Sequence, residues 1–451
     1  MSGHAPLPNF VAYIDRLDKE FPSCEPIVLV FQGGIGCPAD AAWAIFDNID
    51  RWPGRLFIIK GFHWNTRLPD HPRIQRISSF YSGDERADHG KSISFNAANF
   101  MDVGRDALKL QPHLAVAMVT MPRIIRGEKC WSLGASATYI PFLTDHEVPL
   151  FVIENPNMPW TQGNTFYENV VVGSDVTDIH LHTANPKPST LEEGTKDWHI
   201  ATYTAGVLYD ELPVDENGEH IVDLQIGVGN KMAKIPRACQ ALGVRIRRVR
   251  SEAIGDWARD PSLEGVHFDC TVILGSDELL AWANDNPFVH VIRVDQANSR
   301  ETLSSPYQAG INTANAVTTE GAVIVGAKRR VWSGVGGAEE TTHHITDASG
   351  VTILVLNSTF TKNDQTFSTI VNKIDEGYLT VTNNRRPGFV VTEHGVARTR
   401  EKVFKDRSRF LARTEDVVGE LVKVADPLFA PGLVDEAEDM GLLRQELAQV
   451  S

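Results

Sequence analysis

Cysteine is scarce in this 451-residue chain. The five present, Cys24, Cys37, Cys130, Cys239 and Cys270, are scattered, odd in number and never paired as C-x-x-C. That argues against a disulfide framework or a cysteine-zinc cluster and predicts a reducing compartment. No apolar run approaches the ~20 residues of a membrane span, and the opening "MSGHAPLPNF" has no basic stretch leading into an apolar one, so no signal peptide is expected. Positive charge is short as well: 43 basic against 58 acidic residues leave a net charge of −15. Non-specific nucleic-acid or anionic-membrane binding needs the opposite balance, whereas a small anion needs only a local basic patch. No G-x-S-x-G elbow is present to anchor a hydrolase triad. The close histidine pairs, His180/His182 and His343/His344, lack a recognisable third ligand, so no metal is expected. These absences predict a cytoplasmic protein acting on small molecules.

What is present is the alternation of an α/β protein. "PIVLVF" (26–31) reads as a buried strand followed by glycines. "PADAAWAIFDNI" then puts Ala42, Ile45, Phe46 and Ile49 on one helical face. "RLFIIKGF", "LAVAMVTM" and "PLFVIENP" continue the pattern as strands of a mostly parallel sheet. From about residue 183 a polar, proline-bearing stretch suits an inter-domain linker, and "VDENGEH" (214–220) suits a hairpin or loop. "HIVDLQIGVGN", "KIPRACQAL" and "GVRIRRVR" then repeat the opening strand, glycine turn, helix and strand. The chain is too long for one simple core, and this repetition predicts two domains. The stretch 414–450 reads as a solvated outer helix.

The glycine turns admit three uses. Gly34, Gly36 and Ala39 fit the G-x-G-x-x-A of a dinucleotide turn, although Pro38 intrudes and the second copy, Gly227-Val228-Gly229, lacks the third small residue. They also serve as plain tight turns, or as amide-lined pockets for an anion or developing oxyanion. "RVRSEAIGDW" (248–257) presents Ser251 and Glu252 as a capped helix start. Its place after a strand of the second half, with Arg245, Arg247, Arg248 and Arg250 upstream, also fits a carboxylate at the ligand-binding edge of a sheet. "WSGVGGAEE" (332–340), "DASGVTILVL" (347–356) and "GFVVTEHGVA" (388–397) each put glycines and polar residues at the end of a strand.

Together these segments resemble the acetyl-CoA hydrolase/transferase family, the branch of the family I coenzyme A transferases that includes 4-hydroxybutyrate CoA-transferases. "FVVTEHGVARTREKVFKDRSR" (389–409) is similar to the family's VVTE-x-G strand and basic helix, and "NPNMPWTQGNTF" to its N-x-x-MP-R-T-x-G segment. "LQIGVGN", the Ser251-Glu252 pair, "GINTANAV" and "SGVGGAEE" follow in family order.

The resemblance implies two similar open α/β domains with mostly parallel sheets, 1–185 and 223–451, joined by a linker or insertion at 186–222, with the site in the cleft between them. It implies Glu252 as nucleophile, Gly227, Gly229, Asn312 and Gly350 as pocket or oxyanion residues, and Glu393 as a supporting acid. Gly336, Gly337 and Gly395 would contact CoA. The implied activity is CoA transfer from an acyl-CoA to a carboxylic acid, through an acyl-glutamyl anhydride and a glutamyl-CoA thioester. CoA enters as substrate, neither metal nor bound cofactor takes part, and a homodimer is expected. A hydrolase using the same glutamate, a CoA-binding protein without turnover and a nicotinamide or flavin enzyme are the alternatives.

Three departures bear on the substrate. Trp257 replaces the glycine that follows the family's aspartate, and Trp160 stands where the MP-R-T segment has arginine. Ala338-Glu339-Glu340-Thr341 replaces an acid–aromatic pair. The two tryptophans predict a bulkier or more apolar acyl group than acetate.

Overall fold

The computed structural model describes residues 4–63, 68–81, 85–86, 93–181, 194–305, 307–325, 333–374, 379–380, 386–400 and 414–443. His182, Trp332, the start of the expected linker (186–193) and the basic segment 401–409 lie outside the described residues.

Two large sheets carry the fold. The first runs, edge to edge, Val171–Val176, Leu150–Glu154, Leu114–Val119, Ile27–Phe31, Phe57–Lys60, Ile74–Ser78 and Ile93–Phe95, with every pairing parallel. Its central strand, "IVLVF", is buried at all five positions, as a strand covered on both faces must be. The second runs Val289–Val291, His267–Ile273, Val244–Ile254, His220–Ile226, Gln308–Thr313, Val351–Val355, Phe389–Thr392 and Gly395–Arg398. It is parallel except for the closing hairpin, whose two-residue turn is Glu393-His394. The mixed α/β, mostly parallel architecture expected from the sequence is therefore present.

The sheets share one hydrophobic cluster, with Val30, Ala117 and Val119 from the first and Leu224, Val249 and Val272 from the second. Backbone hydrogen bonds stitch the seam. Ala137 N–H donates to Thr271 O (2.9 Å), Ile273 N–H to Ala135 O (2.7 Å) and Val291 N–H to Gln162 O (2.8 Å).

Two expectations change. Part of the supposed linker is a helix, Lys196–Glu211, with Ile200, Thr204 and Leu208 buried four residues apart; a polar margin concealed its apolar stripe. The outer helix expected at 414–450 is two helices, Thr414–Lys423 and Ala430–Asp439. Val417, Leu421 and Leu433 are buried against Leu354 and Val390, so this region belongs to a core rather than to solvent.

Gly163 tests the seam. Its φ is +111°, and a methyl group there would collide with the carbonyl of Val291 in the other sheet. Gly127, at φ +86°, has open space around the same position. Gly163→Ala should destabilise by about 2–4 kcal/mol and Gly127→Ala by about 1 kcal/mol. Denaturant unfolding of the two variants checks this, and equal losses would exclude a tight seam at Gly163.

Candidate active site

Glu252 lies in an extended strand, Val244–Ile254, and not at the start of a helix. The alternation of the strand explains why. Val249, Ser251 and Ala253 are buried on one face, leaving Arg248, Arg250 and Glu252 on the other. Ser251 caps nothing; its hydroxyl lies 2.7 Å from Ile226 O and 2.8 Å from Ala253 O. Thr271 Oγ donates to the Glu252 carbonyl (2.6 Å), fixing the backbone that carries the acid.

The Glu252 carboxylate is gripped by two donors. Asn298 Nδ2 lies 3.1 Å from Oε1, and the backbone N–H of Gly337 also donates to it. The same Asn298 nitrogen lies 3.0 Å from Glu340 Oε2, so one amide group serves two carboxyl groups with its two hydrogens. Glu340 Oε1 in turn accepts from Met101 N–H (3.0 Å). Burial pushes Glu252 up to about 7, with the two donors opposing the rise. Burial likewise lifts Glu340 to about 8, and the neighbouring Glu252 charge adds to the rise. As a coupled pair, one proton leaves near neutrality and the second is resisted by the charge left behind.

Gly336 and Gly337 permit this grip. Gly336 adopts φ +67°, and a methyl group on Gly337 would occupy the position of the Glu252 carboxylate. Gly336 O accepts from Phe100 N–H (3.0 Å), tying the loop to the first half of the chain. In front of the carboxylate lies a small cavity of about 70 Å³. The first half supplies Gly34, Phe62, Ser79, Phe80, Ala98, Phe100 and Val103 to it; the second supplies Val228, Ala253, Val272, Leu274 and Gly336.

The other expected site residues divide into near and far. Asn312 supports the loop from behind: its Nδ2 donates to Thr341 Oγ1 (3.1 Å), and that hydroxyl donates to Gly337 O (3.0 Å). Gly227 commits its N–H to Ile311 O (2.8 Å) and Gly229 is exposed, while Val228 between them lines the cavity. Gly350 leads its strand, Val351–Val355, as the sequence predicts. It is level with Gln308 and Arg248, about 13 Å below Glu252 along the strand direction. Its N–H is taken by Ile345 O (2.8 Å), so it is not an oxyanion donor here.

Glu393 stands four strand positions from the Glu252 strand, about 19 Å across the sheet. It is bound by Lys196 Nζ (2.7 Å), Ser358 N–H (2.8 Å) and Ser358 Oγ (3.0 Å). These donors outweigh the effect of burial and bring it down to about 2. Glu393 is therefore a structural anion and not a supporting acid, and Gly395 belongs to the same distant hairpin.

Several other readings change with the geometry. The arginines before Glu252 are engaged with carboxylates: Arg245 with Glu219 (2.9 Å), Arg247 with Asp223, and Arg248 and Arg250 with Asp269 (3.5 and 3.7 Å). Neither tryptophan lines the cavity. Trp257 packs over Gly255 and against Phe268, while Trp160 lies under the Arg123 guanidinium, 4.3 Å from its ring centre. Gly34 faces Val272 across the seam, with 3.0 Å available to a methyl group, which makes its turn a packing contact. His267, Asp269 and His290 come within 4.8 Å of one another, but the two arginines already answer the Asp269 charge. No helix among the described residues is long and apolar enough to cross a membrane.

Sequence reading missed the shared role of Asn298 and Glu340. Glu340 had stood out as a departure from the family segment, but Asn298 gave no local signal, since it meets Glu252 across 46 residues.

Residues 275–437, which begin beyond Glu252, match the acetyl-CoA hydrolase/transferase C-terminal domain. The chain is 24% identical over 435 residues to a 4-hydroxybutyrate coenzyme A transferase of Clostridium kluyveri, covering 90% of this chain and 93% of that protein. Its fold is similar to that of RipA from Yersinia pestis (TM-score 0.73, 18% identity, 94% of this chain and 97% of that one). It is also similar to a 4-hydroxybutyrate CoA-transferase from Porphyromonas gingivalis (TM-score 0.66, 19% identity, 96% of each chain). Residues 275–437 are thus similar to the C-terminal domain of the acetyl-CoA hydrolase/transferase family, and nearly the whole chain shares the fold of these solved structures.

Proposed function

We propose that the protein moves CoA from an acyl-CoA to a carboxylic acid, with Glu252 as the nucleophile. The observation that carries this reading is a carboxylate presented at an apolar cavity and oriented by two donors, Asn298 and the Gly337 N–H. A carboxylate is a weak nucleophile, so positioning and desolvation must supply what basicity does not. Glu252 attacks the thioester carbonyl, and collapse of the tetrahedral intermediate expels CoA thiolate and leaves an acyl-glutamyl anhydride. The thiolate attacks the glutamyl carbonyl and releases the first carboxylate, giving a glutamyl-CoA thioester. The acceptor carboxylate attacks that thioester and the sequence runs in reverse.

When the glutamyl carbonyl is attacked, its oxygen becomes negative where Asn298 and Gly337 already donate. They take the role expected of Gly350. We read the site as lying between two domains, since both sheets furnish its walls. A wider groove of about 560 Å³ is lined by Lys231, three residues past Val228, and by Phe360 and Lys362 among others. Its volume and two cations suit the phosphorylated arm of CoA. Gly336 and Gly337 then hold the carboxylate rather than CoA.

Incubation with acyl-CoA followed by intact-mass measurement tests the nucleophile. Wild type should gain the mass of CoA less one water, and Glu252→Ala should not. An adduct that persists in Glu252→Ala, or none with any acyl-CoA tried, overturns the assignment. A new acyl-CoA should form only when a carboxylic acid is added, and free CoA thiol accumulating without one would indicate a hydrolase.

The pH profile has a definite sign. Attack needs the ionised form, and burial has raised its pKa, so kcat/KM should fall about tenfold per pH unit below about 7. Glu340→Gln should leave this limb in place, because Glu340 is still protonated where Glu252 titrates. Asn298→Ala, which removes a donor to the ionised form, should move the limb upward and lower kcat by about 10- to 1,000-fold. A limb near 4.5 in wild type would contradict the buried-carboxylate account.

A further inference from the structure

The cavity in front of Glu252 is unusually poor in polar groups for one that receives a carboxylic acid. Three phenyl rings form its far side: Phe62 and Phe80 with centroids 6.3 Å apart, and Phe62 and Phe100 at 5.7 Å. Ala98, Val103, Val228, Val272 and Leu274 complete it, and the surface it presents is almost wholly carbon. Apart from Glu252, no ionisable side chain lines it among the described residues. Ser79 is its other side-chain polar group, and the Ser79 hydroxyl is engaged by Lys60 Nζ (3.0 Å), which is itself buried behind the wall.

Resting on the CoA-transferase reading above, we infer that the acyl group this enzyme accepts is apolar to its end: a short unsubstituted chain seated among Phe62, Phe80 and Phe100. The polar arm of CoA has the wide groove with Lys231 and Lys362 available, so the narrow carbon-lined space falls to the acyl tail. Its size sets a limit. A water requires about 10–15 Å³ of such space, so about 70 Å³ holds roughly five waters, the bulk of about four to six carbons. A terminal hydroxyl or carboxylate would leave water for at most the one hydrogen of the Ser79 hydroxyl, and a buried polar group is costly unless its hydrogen bonds are replaced. The chain thereby departs from its curated relative, whose name specifies a hydroxylated acyl group. The selectivity comes from the phenylalanines and not from Trp257 or Trp160, which the sequence had suggested, and the cavity is apolar without being large.

The test compares matched donors on the wild-type enzyme, with acetate as common acceptor. The kcat/KM for butyryl-CoA should exceed that for 4-hydroxybutyryl-CoA ten- to a hundredfold, and succinyl-CoA should be poorer still. Phe80→Ala should raise the octanoyl-to-butyryl ratio at least tenfold while the glutamyl-CoA adduct still forms. If 4-hydroxybutyryl- or succinyl-CoA equals or exceeds butyryl-CoA in wild type, the apolar pocket is wrong while CoA transfer stands; a succinyl preference would implicate Lys60. If no donor turns over, the transferase reading fails and the inference falls with it.

Discussion

A single side-chain amide holds the site together. Asn298 offers its two hydrogens to two buried carboxyl groups, Glu252 and Glu340, and each of those is tied to a different part of the chain. Glu252 belongs to a strand of the second sheet, and Glu340 reaches Met101 in the first half. Two acids so placed cannot both ionise easily. Their folded-state pKa values lie above those of the unfolded chain, so the folded state binds more protons between about 4.5 and 7–8. The stability they contribute is therefore fullest below about pH 4.5 and is lost as pH rises through 7 and 8. At neutral pH the arrangement works against stability. That is the expected sign for a group retained for chemistry rather than for packing.

Asn298 can hold this position because the loops around it are themselves fixed. It ends a short helix, its N–H donates to Val294 O (3.0 Å), and its carbonyl meets His344 Nδ1 (2.7 Å) in the helix after Gly337. Asn312 and Thr341 hold the Gly337 carbonyl from behind, while Phe100 holds that of Gly336 from in front. The Gly336-Gly337 turn is thus clamped between the two sheets. Its lack of side chains gives the Glu252 carboxylate the space it occupies. Packing at the seam and the grip on Glu252 are in this sense one structure, since opening the sheets would release the phenyl wall and the loop together.

The sequence made some of this legible and hid the rest for identifiable reasons. The parallel sheets followed from apolar runs such as "IVLVF", and Glu252 stood out through its place among ordered segments. The extended conformation of Glu252 was obscured because serine before an acid is also how helices begin, although alternation from Val244 onward points to a strand. Gly350 and Glu393 were misplaced for a different reason. A glycine that leads a strand, or an acid that ends one, does not reveal how far along the sheet or how many strands across it the site lies. Strand order and register decide both, and they are properties of pairing rather than of any one segment. The phenyl wall was hidden in the same way: Phe62, Phe80 and Phe100 come from separate segments that meet only after the sheet forms.

The same wall bears on the fate of the anhydride. In the proposed chemistry, transfer and hydrolysis share an intermediate and differ in whether water reaches it before a carboxylate or thiolate does. An ordered water needs about two to four polar partners. The cavity offers it the Glu252 carboxylate, which the intermediate consumes, and the Ser79 hydroxyl, which accepts from Lys60 and keeps one hydrogen to donate. A water could enter the space but, among the described lining side chains, would find only the Ser79 hydroxyl to hold it, fewer partners than an ordered water needs. The acceptor acid carries its own apolar tail and gains by placing that tail among the phenyl rings, which brings its carboxylate to the glutamyl carbonyl. In the proposed chemistry, the burial that lifts Glu252 to about 7 would also favour transfer over hydrolysis, with Phe62, Phe80 and Phe100 forming part of the carbon surface around it.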